Sequence, residues 1–220
     1  MLDENSLLGL LQPFQLQLSS TQLAQTLIYL ELLMKWNSKI NLTSIRTAEE
    51  CVTRHFGESM CLARWVQLSG GLLDIGSGAG FPGLALRIVF PQIATTLLEP
   101  VAKKRAFLKE VARACAISSV EVRAERLEDF LRQNKTLTFD TVTARAVGHL
   151  DQLVLQAVNA LRPGGRICLW LGQNQGLALK TSARLIQWMA PIKIPIGRER
   201  EIWVGTPEPI DTAPTARLGA

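Results

Sequence analysis

A glycine-dense stretch at residues 73–80, with the sequence LDIGSGAG, is the segment of this chain with the clearest chemical meaning. It follows a short apolar run and precedes another, which is typical of a buried strand that enters a helix through a tight turn. Glycines there let the backbone turn sharply and let a ligand approach without a Cβ in the way. Because open α/β sheets bind ligands at the carboxyl ends of their strands, the stretch predicts a nucleotide-binding loop. The alternative is a structural turn with no ligand.

Two cofactor patterns fit this loop. Gly78, Gly80 and Gly83 satisfy the dinucleotide pattern G-x-G-x-x-G, whereas the frame D-x-G-x-G-x-G, from Asp74 to Gly80, matches the first motif of Rossmann-like methyltransferases. We favour the second, because the first would place its leading glycine too deep in the turn and would leave Asp74 unexplained. A carboxylate at Asp74 can attract the cationic amino acid end of S-adenosylmethionine. The loop residues expected at the cofactor are Asp74, Gly76, Ser77, Gly78 and Gly80.

An acidic residue, Glu99, ends the second predicted strand, 23 residues after Gly76. An acid at this place accepts hydrogen bonds from both hydroxyls of an adenosine ribose. Nicotinamide cofactors and S-adenosylmethionine both contain that ribose. Glu99 therefore predicts a nucleotide cofactor without choosing between the two.

A basic run, Lys103-Lys104-Arg105, opens the next predicted helix. Cations are mildly unfavourable at a helix start, so the run is either a solvated face or a set of contacts to RNA phosphates. The whole chain has a formal net charge of +5 and a pI of about 9.3. This basic excess is compatible with a polyanionic partner.

Two helices are expected before residue 70, each starting at a capping box. The first box runs from Ser19 to Gln22 and its helix ends near Trp36-Asn37; the second runs from Thr47 to Glu50 and its helix continues to about Gln67. The expected strands are 72–75, 95–98, 120–122, 139–143 and 167–171, with edge strands at 192–196 and 202–204; the later helices are 81–89, 102–113 and 150–161, and residues 162–165 form a turn.

Strands that alternate with helices in this way predict an α/β fold, with a mostly parallel Rossmann-like sheet that helices cover on both faces. A length of 220 residues fits one domain. We divide it into an N-terminal helical extension (1–69), a Rossmann-like methyltransferase core (70–206) and a flexible tail (207–220).

Composition narrows the class of protein further. The chain has four cysteines, none spaced C-x-x-C, and two histidines, so no metal site is expected; the thiols read as small buried apolar groups. Acidic residues near Met1 argue against an export signal, and no apolar run approaches the roughly 18–20 residues that span a bilayer. These features predict a cytoplasmic protein with no membrane contact.

Several segments together resemble one family, over about residues 20–172. They are Trp36-Asn37, Asn41-Leu42-Thr43, Ile45-Arg46, Arg54-His55-Phe56, residues 74–83, Leu98-Glu99, residues 103–108 and Thr143-Ala144-Arg145-Ala146. They resemble the RsmG (GidB) family of bacterial small-subunit ribosomal RNA methyltransferases. The resemblance implies methylation of guanine N7 in 16S ribosomal RNA, with S-adenosylmethionine as donor and S-adenosylhomocysteine as product. This chain departs from the family pattern at Leu171-Gly172, where the family usually has Lys-Gly, and in the tail from Glu208 onward.

The resemblance also implies roles for individual residues. Gly76 and Phe81 line the cofactor site; Glu99, Pro100 and Val101 flank the adenosine; Leu127 and Glu128 lie beside the adenine; Arg145 borders both the cofactor and the reaction site.

Arg145 either holds guanine or a phosphate with its planar fork or pairs with a local carboxylate. Arg46 and Arg54 are expected RNA contacts, His55 is expected to be structural, and the chain is expected to act on the small subunit as a monomer.

Three other functions stay open at this point. The first is a methyltransferase for another RNA or a small molecule. The second is a nicotinamide-dependent oxidoreductase, which needs a proton donor such as a tyrosine, whereas the single tyrosine, Tyr29, is far from the sheet in sequence. The third is a non-catalytic nucleic-acid binder.

The favoured reaction needs no catalytic base. Guanine N7 loses no proton when it is methylated, so alignment of guanine with the methyl donor can suffice, and the lack of a catalytic histidine or cysteine is expected.

Overall fold

The chain begins with helices in the computed structural model, which describes residues 2–146, 148–197 and 199–208. Helix α1 spans Glu4–Leu11, which the sequence did not predict, and α2 spans Ser20–Ile40. The predicted capping box at α2 is confirmed: the Ser19 side chain accepts from the Gln22 amide, and the Gln22 side chain accepts from the Ser19 amide. The helix runs three residues past its expected end.

The second helical region is not one regular helix. It consists of α3 (Ala48–Cys51), a π-helical segment (Val52–Gly57), α4 (Glu58–Met60) and a 3₁₀ turn (Cys61–Arg64). The Thr47 hydroxyl caps it by accepting from the Glu50 amide, but the Glu50 carboxylate pairs with Arg54, so the capping box is half confirmed. π-Helical turns are rare and are frequent at functional sites, which makes this segment notable.

The described residues form one sheet, and the prediction of a mostly parallel sheet is confirmed. Its strand order is β3-β2-β1-β4-β5-β8-β6, with β7 paired to β8; strands β1 to β5 are parallel and β8 is antiparallel to its neighbours. The bounds are Gly71–Ile75 (β1), Ala94–Leu98 (β2), Val120–Arg123 (β3), Phe139–Arg145 (β4), Leu161–Gly172 (β5), Ile186–Trp188 (β6), Ile192–Lys193 (β7) and Arg200–Pro207 (β8).

Helices connect these strands and cover both faces of the sheet. They are α5 (Gly83–Val89), α6 (Ala102–Ala114), α7 (Leu127–Gln133), α8 (Leu150–Val158) and α9 (Gln173–Ser182). The sequence missed α7, α9 and β6, and it started α5 two residues early, because Phe81-Pro82 belongs to the loop.

Two strand predictions need correction. The expected turn at 162–165 lies inside β5, where the register against β4 shifts between Phe139 and Thr141 to absorb it. The last strand reaches Pro207, which pairs with Ile186, although residue 207 was assigned to the predicted tail. The rest of that tail, from residue 209, lies outside the described residues.

The N-terminal helices share a hydrophobic core with the sheet. Leu7, Tyr29 and Phe56 belong to the same buried cluster as Leu84 of α5 and Leu108 of α6. A second cluster, on the other face, contains Leu73 and Ile75 of β1 with side chains of α7, α8 and α9. Each fully buried side chain of this size contributes about 1.5–3 kcal/mol, so the N-terminal extension is firmly packed on the sheet.

The strand order creates one crevice suited to a ligand. The chain builds outward from β1 to β2 and β3, then returns to the other side of β1 for β4 and β5. Ligands of such sheets bind where this reversal occurs, beyond the carboxyl ends of the strands. The glycine loop, Glu99 and Arg145 all lie at that edge, because they follow β1, follow β2 and end β4.

Several composition-based expectations can be compared with the described residues. All four cysteines are buried and unpaired, which confirms their role as small core groups. No helix in the described part of the chain is long and apolar enough to cross a membrane. Within those same residues, no three His, Cys, Asp or Glu side chains are grouped so as to hold a metal ion.

Candidate cofactor and substrate site

The glycine loop has the backbone geometry that its composition predicts. Gly76, Gly78 and Gly80 have φ angles of +67°, +58° and +90°, a region that residues with a Cβ rarely adopt. The Ser77 amide donates to the Leu98 carbonyl at 3.0 Å, and this bond ties the loop to the end of β2. A Cβ at Gly78 would meet only the Gly76 carbonyl, at 3.8 Å, so this side of the loop is open to a ligand.

Glu99 joins the two loops that follow β1 and β2. Its Oε2 accepts from the Gly78 amide at 2.9 Å and its Oε1 accepts from the Val101 amide at 2.8 Å. Each carboxylate oxygen has two lone pairs, so both oxygens keep capacity to accept from a pair of ribose hydroxyls. The arrangement fits an adenosine-containing cofactor, with exposed Pro100 and Val101 beside it.

Asp74 has a different position from the one its sequence suggests. Its side chain is fully buried, and Oδ1 accepts from the Thr143 hydroxyl at 2.7 Å. Burial raises its pKa to about 6, and the hydrogen bond from Thr143 opposes the shift. The carboxylate has no exposed surface, and its Oδ2 has no hydrogen-bond partner among the described residues. It lies beneath the loop and braces the start of α5, where Gly83 leaves no room for a Cβ beside it.

Tyr29 is a site residue that the sequence did not indicate. It lies in α2, is completely buried, and its hydroxyl donates to the Ala79 carbonyl in the glycine loop. Gly80 needs to be glycine because a Cβ would collide with this hydroxyl. Burial raises the pKa of Tyr29 well above its ordinary value, so the hydroxyl stays protonated and remains a donor.

Phe81, expected at the cofactor, is held between two rings. The Tyr29 ring stacks on it at 5.2 Å between centroids, and the His55 ring stacks on it at 4.7 Å. His55 Nε2 is hydrogen-bonded to the Thr43 hydroxyl at 2.8 Å. Burial, followed by the charges of Arg145 and Arg54, lowers the His55 pKa to about 3. The ring is therefore neutral; its Nδ1 is buried without a hydrogen-bond partner among the described residues, and a structural role for His55 stays a prediction.

Arg145 lies at the end of β4 in an ion-pair cluster. Its Nη2 donates to the Arg54 carbonyl at 2.7 Å and to Glu58 Oε2 at 3.0 Å. The other Glu58 oxygen pairs with Arg200 from β8. The alternative interpretation, pairing with a carboxylate, is thus what the structure shows. That carboxylate comes from the N-terminal extension, 87 residues away in sequence, and the Arg145 side chain remains 16% exposed.

The remaining predicted site residues are not all brought together. Leu127 is buried in the second core cluster at the start of α7, and Glu128 accepts from Gln156 of α8 at 3.1 Å. Arg105 donates to the Glu99 and Pro100 carbonyls, so it fixes the loop after β2. Lys103 is exposed and Lys104 partly so.

Two further basic predictions can also be placed. Arg46 is exposed and donates to the Asn41 side chain at 3.2 Å. Leu171, where a lysine was expected from the family pattern, is buried in the second core cluster. The cation that the pattern would supply there is therefore replaced by a core residue, whereas Arg46 keeps a surface position.

The sequence of this chain is similar to those of one family of known proteins. A family model described as rRNA small subunit methyltransferase G matches residues 22–195. A curated protein named ribosomal RNA small subunit methyltransferase G from Desulfitobacterium hafniense is 41% identical over 166 residues, 74% of this chain and 69% of that protein. The protein of the same name from Xylella fastidiosa is 35% identical over 185 residues, 82% of this chain and 84% of that protein.

Solved structures show the same fold at lower identity. A ribosomal protein L11 methylase from Lactobacillus delbrueckii subsp. bulgaricus has a TM-score of 0.58, with 14% identity, and the match covers 70% of this chain and 79% of that one. The protein titled fibrillarin/Nop5p complex has a TM-score of 0.57 with 10% identity, covering 69% and 82%. These similarities confirm a Rossmann-like methyltransferase fold.

Proposed function

The chain belongs to the rRNA small subunit methyltransferase G family and is a methyltransferase, and from this premise we propose that it methylates N7 of a guanine in 16S ribosomal RNA. S-adenosylmethionine is the proposed methyl donor. Membership of this family supports S-adenosylmethionine over a nicotinamide cofactor. The observation that supports an adenosine site here is the Glu99 carboxylate, which bridges the Gly78 and Val101 amides at the carboxyl edge of the sheet.

The residues of the loops fit this cofactor. When bound, S-adenosylmethionine supplies an electrophilic methyl group on its sulfonium sulfur. Glu99 would accept from the ribose hydroxyls, and Pro100 and Val101 would flank the adenosine. The open side of Gly78 would allow close approach of the ligand to the loop. Tyr29 and Asp74 would keep the loop in shape from below, without touching the cofactor.

The proposed chemistry demands little of the side chains. Guanine N7 has an in-plane lone pair and loses no proton, so the protein needs to align the two reactants rather than supply a base. A stacked His55 with a lowered pKa suits this requirement, since such a ring is a weak base. Arg145, at the end of β4 and held by Glu58, is proposed to border the reaction site and to donate to the guanine.

The proposed partner is the small ribosomal subunit or its RNA. Arg46, Arg54, Lys103 and Lys104 are proposed RNA contacts, and the net charge of +5 favours association with a polyanion. An enzyme of assembled ribosomal RNA works in the cytoplasm, and we propose that location with a single chain as the acting unit. The alternative substrate is another RNA.

Two measurements test this proposal together. Calorimetry with S-adenosylmethionine and, separately, with NADH should show saturable binding of the first alone. Transfer of label from S-adenosylmethionine should reach RNA in small subunits and not in large subunits. Binding of NADH without S-adenosylmethionine would contradict the cofactor assignment, and label on large-subunit RNA would contradict the substrate assignment.

A further inference from the structure

A polar cavity of about 360 Å³ lies beside the Arg145 cluster. It opens between the π-helical segment of the N-terminal extension and the approach to β8. The lining residues are Glu50, Thr53, Arg54, Glu58, Ile196 and Arg200. Of these, the sequence indicated Arg54 alone as a substrate contact, and the function proposed above does not require the cavity.

The floor of the cavity is a carboxylate that holds two guanidinium groups. Glu58 is 2% exposed; one of its oxygens pairs with Arg200 and the other with Arg145. The peptide carbonyl of Glu58 accepts from the Trp170 indole at 2.6 Å, which anchors this residue to β5. A buried carboxylate with one oxygen on each arginine fixes the direction of both planar forks.

The arginines at the cavity retain unused donors. Within the described residues, the buried Nε atoms of Arg54 and Arg200 have no hydrogen-bond partner. Buried donors without partners are uncommon and unfavourable, so the hydrogen-bonding capacity of these two guanidinium groups is incompletely satisfied within the described residues. Arg54 also pairs with Glu50, but this is a surface pair with both side chains 44% exposed, and such pairs contribute little. Arg54 is therefore free to exchange its partner.

Charge and composition identify the acceptor. The Arg54, Arg145 and Arg200 guanidinium groups outnumber the Glu50 and Glu58 carboxylates, which leaves a positive excess. None of the six lining residues is aromatic, whereas unpaired RNA bases are commonly bound by stacking on rings. A tetrahedral anion with several acceptor oxygens suits two guanidinium forks better than a base does.

We propose that this cavity binds a backbone phosphate of the RNA substrate, between Arg54 and Arg200, with Glu58 as the positioning residue for Arg200. The assignment rests on the proposed RNA substrate. Its position beside Arg145 places the bound phosphate next to the nucleotide that reacts. The N-terminal extension and β8 would thus contact the RNA strand from two sides, while the cofactor would bind at the carboxyl edge of the sheet.

The test measures RNA affinity directly, so it does not depend on methyl transfer. A labelled fragment of small-subunit RNA is titrated with wild-type protein, Arg200→Ala and Arg200→Lys between 50 and 200 mM salt, with binding followed by fluorescence anisotropy. Each lost phosphate contact lowers the slope of log affinity against log salt by about 0.7–0.9. We expect R200A to lose that amount of slope and R200K to keep it with weaker affinity, because the charge remains but the fork is lost.

The matched control is Arg162→Ala, which removes an arginine paired with Asp140 at the opposite edge of the sheet. R162A should bind RNA with the wild-type slope. Equal slopes for R200A and R162A would overturn the phosphate assignment, as would a weaker R200A affinity at unchanged slope, which would indicate a contact to a base. Glu58→Gln keeps the shape of the floor and removes its charge; a wild-type slope and affinity in E58Q would overturn the positioning role.

Failure of the cavity assignment and failure of the proposed function are distinguishable. A wild-type protein that binds RNA with the expected slope difference to R200A, but does not methylate it, would contradict the proposed reaction and support the cavity. If wild-type protein and R200A methylate RNA equally well at every salt concentration, the proposed reaction is supported and the cavity assignment is overturned.

Discussion

The hydroxyl of Tyr29, in the second helix, donates a hydrogen bond to the carbonyl of Ala79 in the glycine loop, 50 residues further along the chain. The N-terminal extension therefore supports the glycine loop, where the cofactor is proposed to bind. Since Tyr29 also stacks on Phe81, one side chain contacts both the glycine loop and the segment that leads into α5. The extension and the sheet thus share both a hydrophobic core and a direct contact at the loop.

Tyr29→Phe tests this connection. The variant keeps the ring but leaves the buried Ala79 carbonyl without its donor, which costs about 1–3 kcal/mol in the free energy of unfolding. We expect weaker S-adenosylmethionine binding by calorimetry, because the loop loses its support. The control is Thr26→Val in the same helix, whose buried hydroxyl bonds only to the Gln22 carbonyl within α2. Equal cofactor affinity in Y29F and T26V would contradict the supporting role.

Two glycine variants separate loop strain from ligand contact. Gly78→Ala and Gly80→Ala both force a Cβ into positive φ, which costs about 1–2 kcal/mol. At Gly80 the Cβ also collides with Tyr29, whereas at Gly78 the nearest atom is the Gly76 carbonyl oxygen, 3.8 Å away. Chemical denaturation should therefore show G80A to be less stable than G78A by about 1–3 kcal/mol. G78A should fold well and bind S-adenosylmethionine poorly; normal binding by G78A would place the cofactor elsewhere.

Glu99→Gln tests the proposed ribose acceptor. The carboxylate accepts from two amides, but a glutamine offers one carbonyl oxygen and an NH₂ group that faces a donor. Loss of one or two charge-assisted hydrogen bonds should weaken S-adenosylhomocysteine binding about 10- to 100-fold. Glu121→Gln, an exposed glutamate of β3 paired with Arg123, is the matched control and should bind normally. An E99Q affinity equal to that of E121Q would remove Glu99 from the cofactor site.

His55 should make stability depend on pH. Its pKa is about 3 in the folded chain and about 6.5 when unfolded, so below pH 6.5 the unfolded state binds a proton that the folded state does not. The free energy of unfolding therefore falls as the pH is lowered. Compared with His55→Gln, wild-type protein should lose about 2 kcal/mol of relative stability between pH 7 and pH 5. A constant difference between the two proteins would show that the pKa of His55 is the same in the folded and the unfolded chain, and would contradict the lowered pKa.

Local sequence signals predicted much of the fold and of the cofactor loop. The Ser19–Gln22 capping box and the glycines at 76, 78 and 80 act within a few residues, so their types and spacing are enough to place them. Glu99 was found because it follows a strand at a fixed interval from the loop. Helices α7 and α9 were missed because the first has seven residues and the second carries Gly176 and several polar groups.

The substrate side could not be predicted in this way. Glu58 meets Arg145 and Arg200 across 87 and 142 residues, and the π-helical turn that precedes Glu58 has no recognised local signature. Asp74 appears in the motif as a ligand for the cofactor, but the packing of α5 on β1 buries it. Contacts of this range depend on the assembled sheet, and only the three-dimensional structure brings them together.

The most direct test of the proposed function is the position of the transferred methyl group. Small ribosomal subunits that lack N7 methylation are incubated with the protein and labelled S-adenosylmethionine, and the RNA is then cleaved chemically at 7-methylguanine. We predict cleavage and label at a single guanine of 16S RNA. Label at a different atom or base, or label on protein with no cleavage of the RNA, would contradict the proposed reaction.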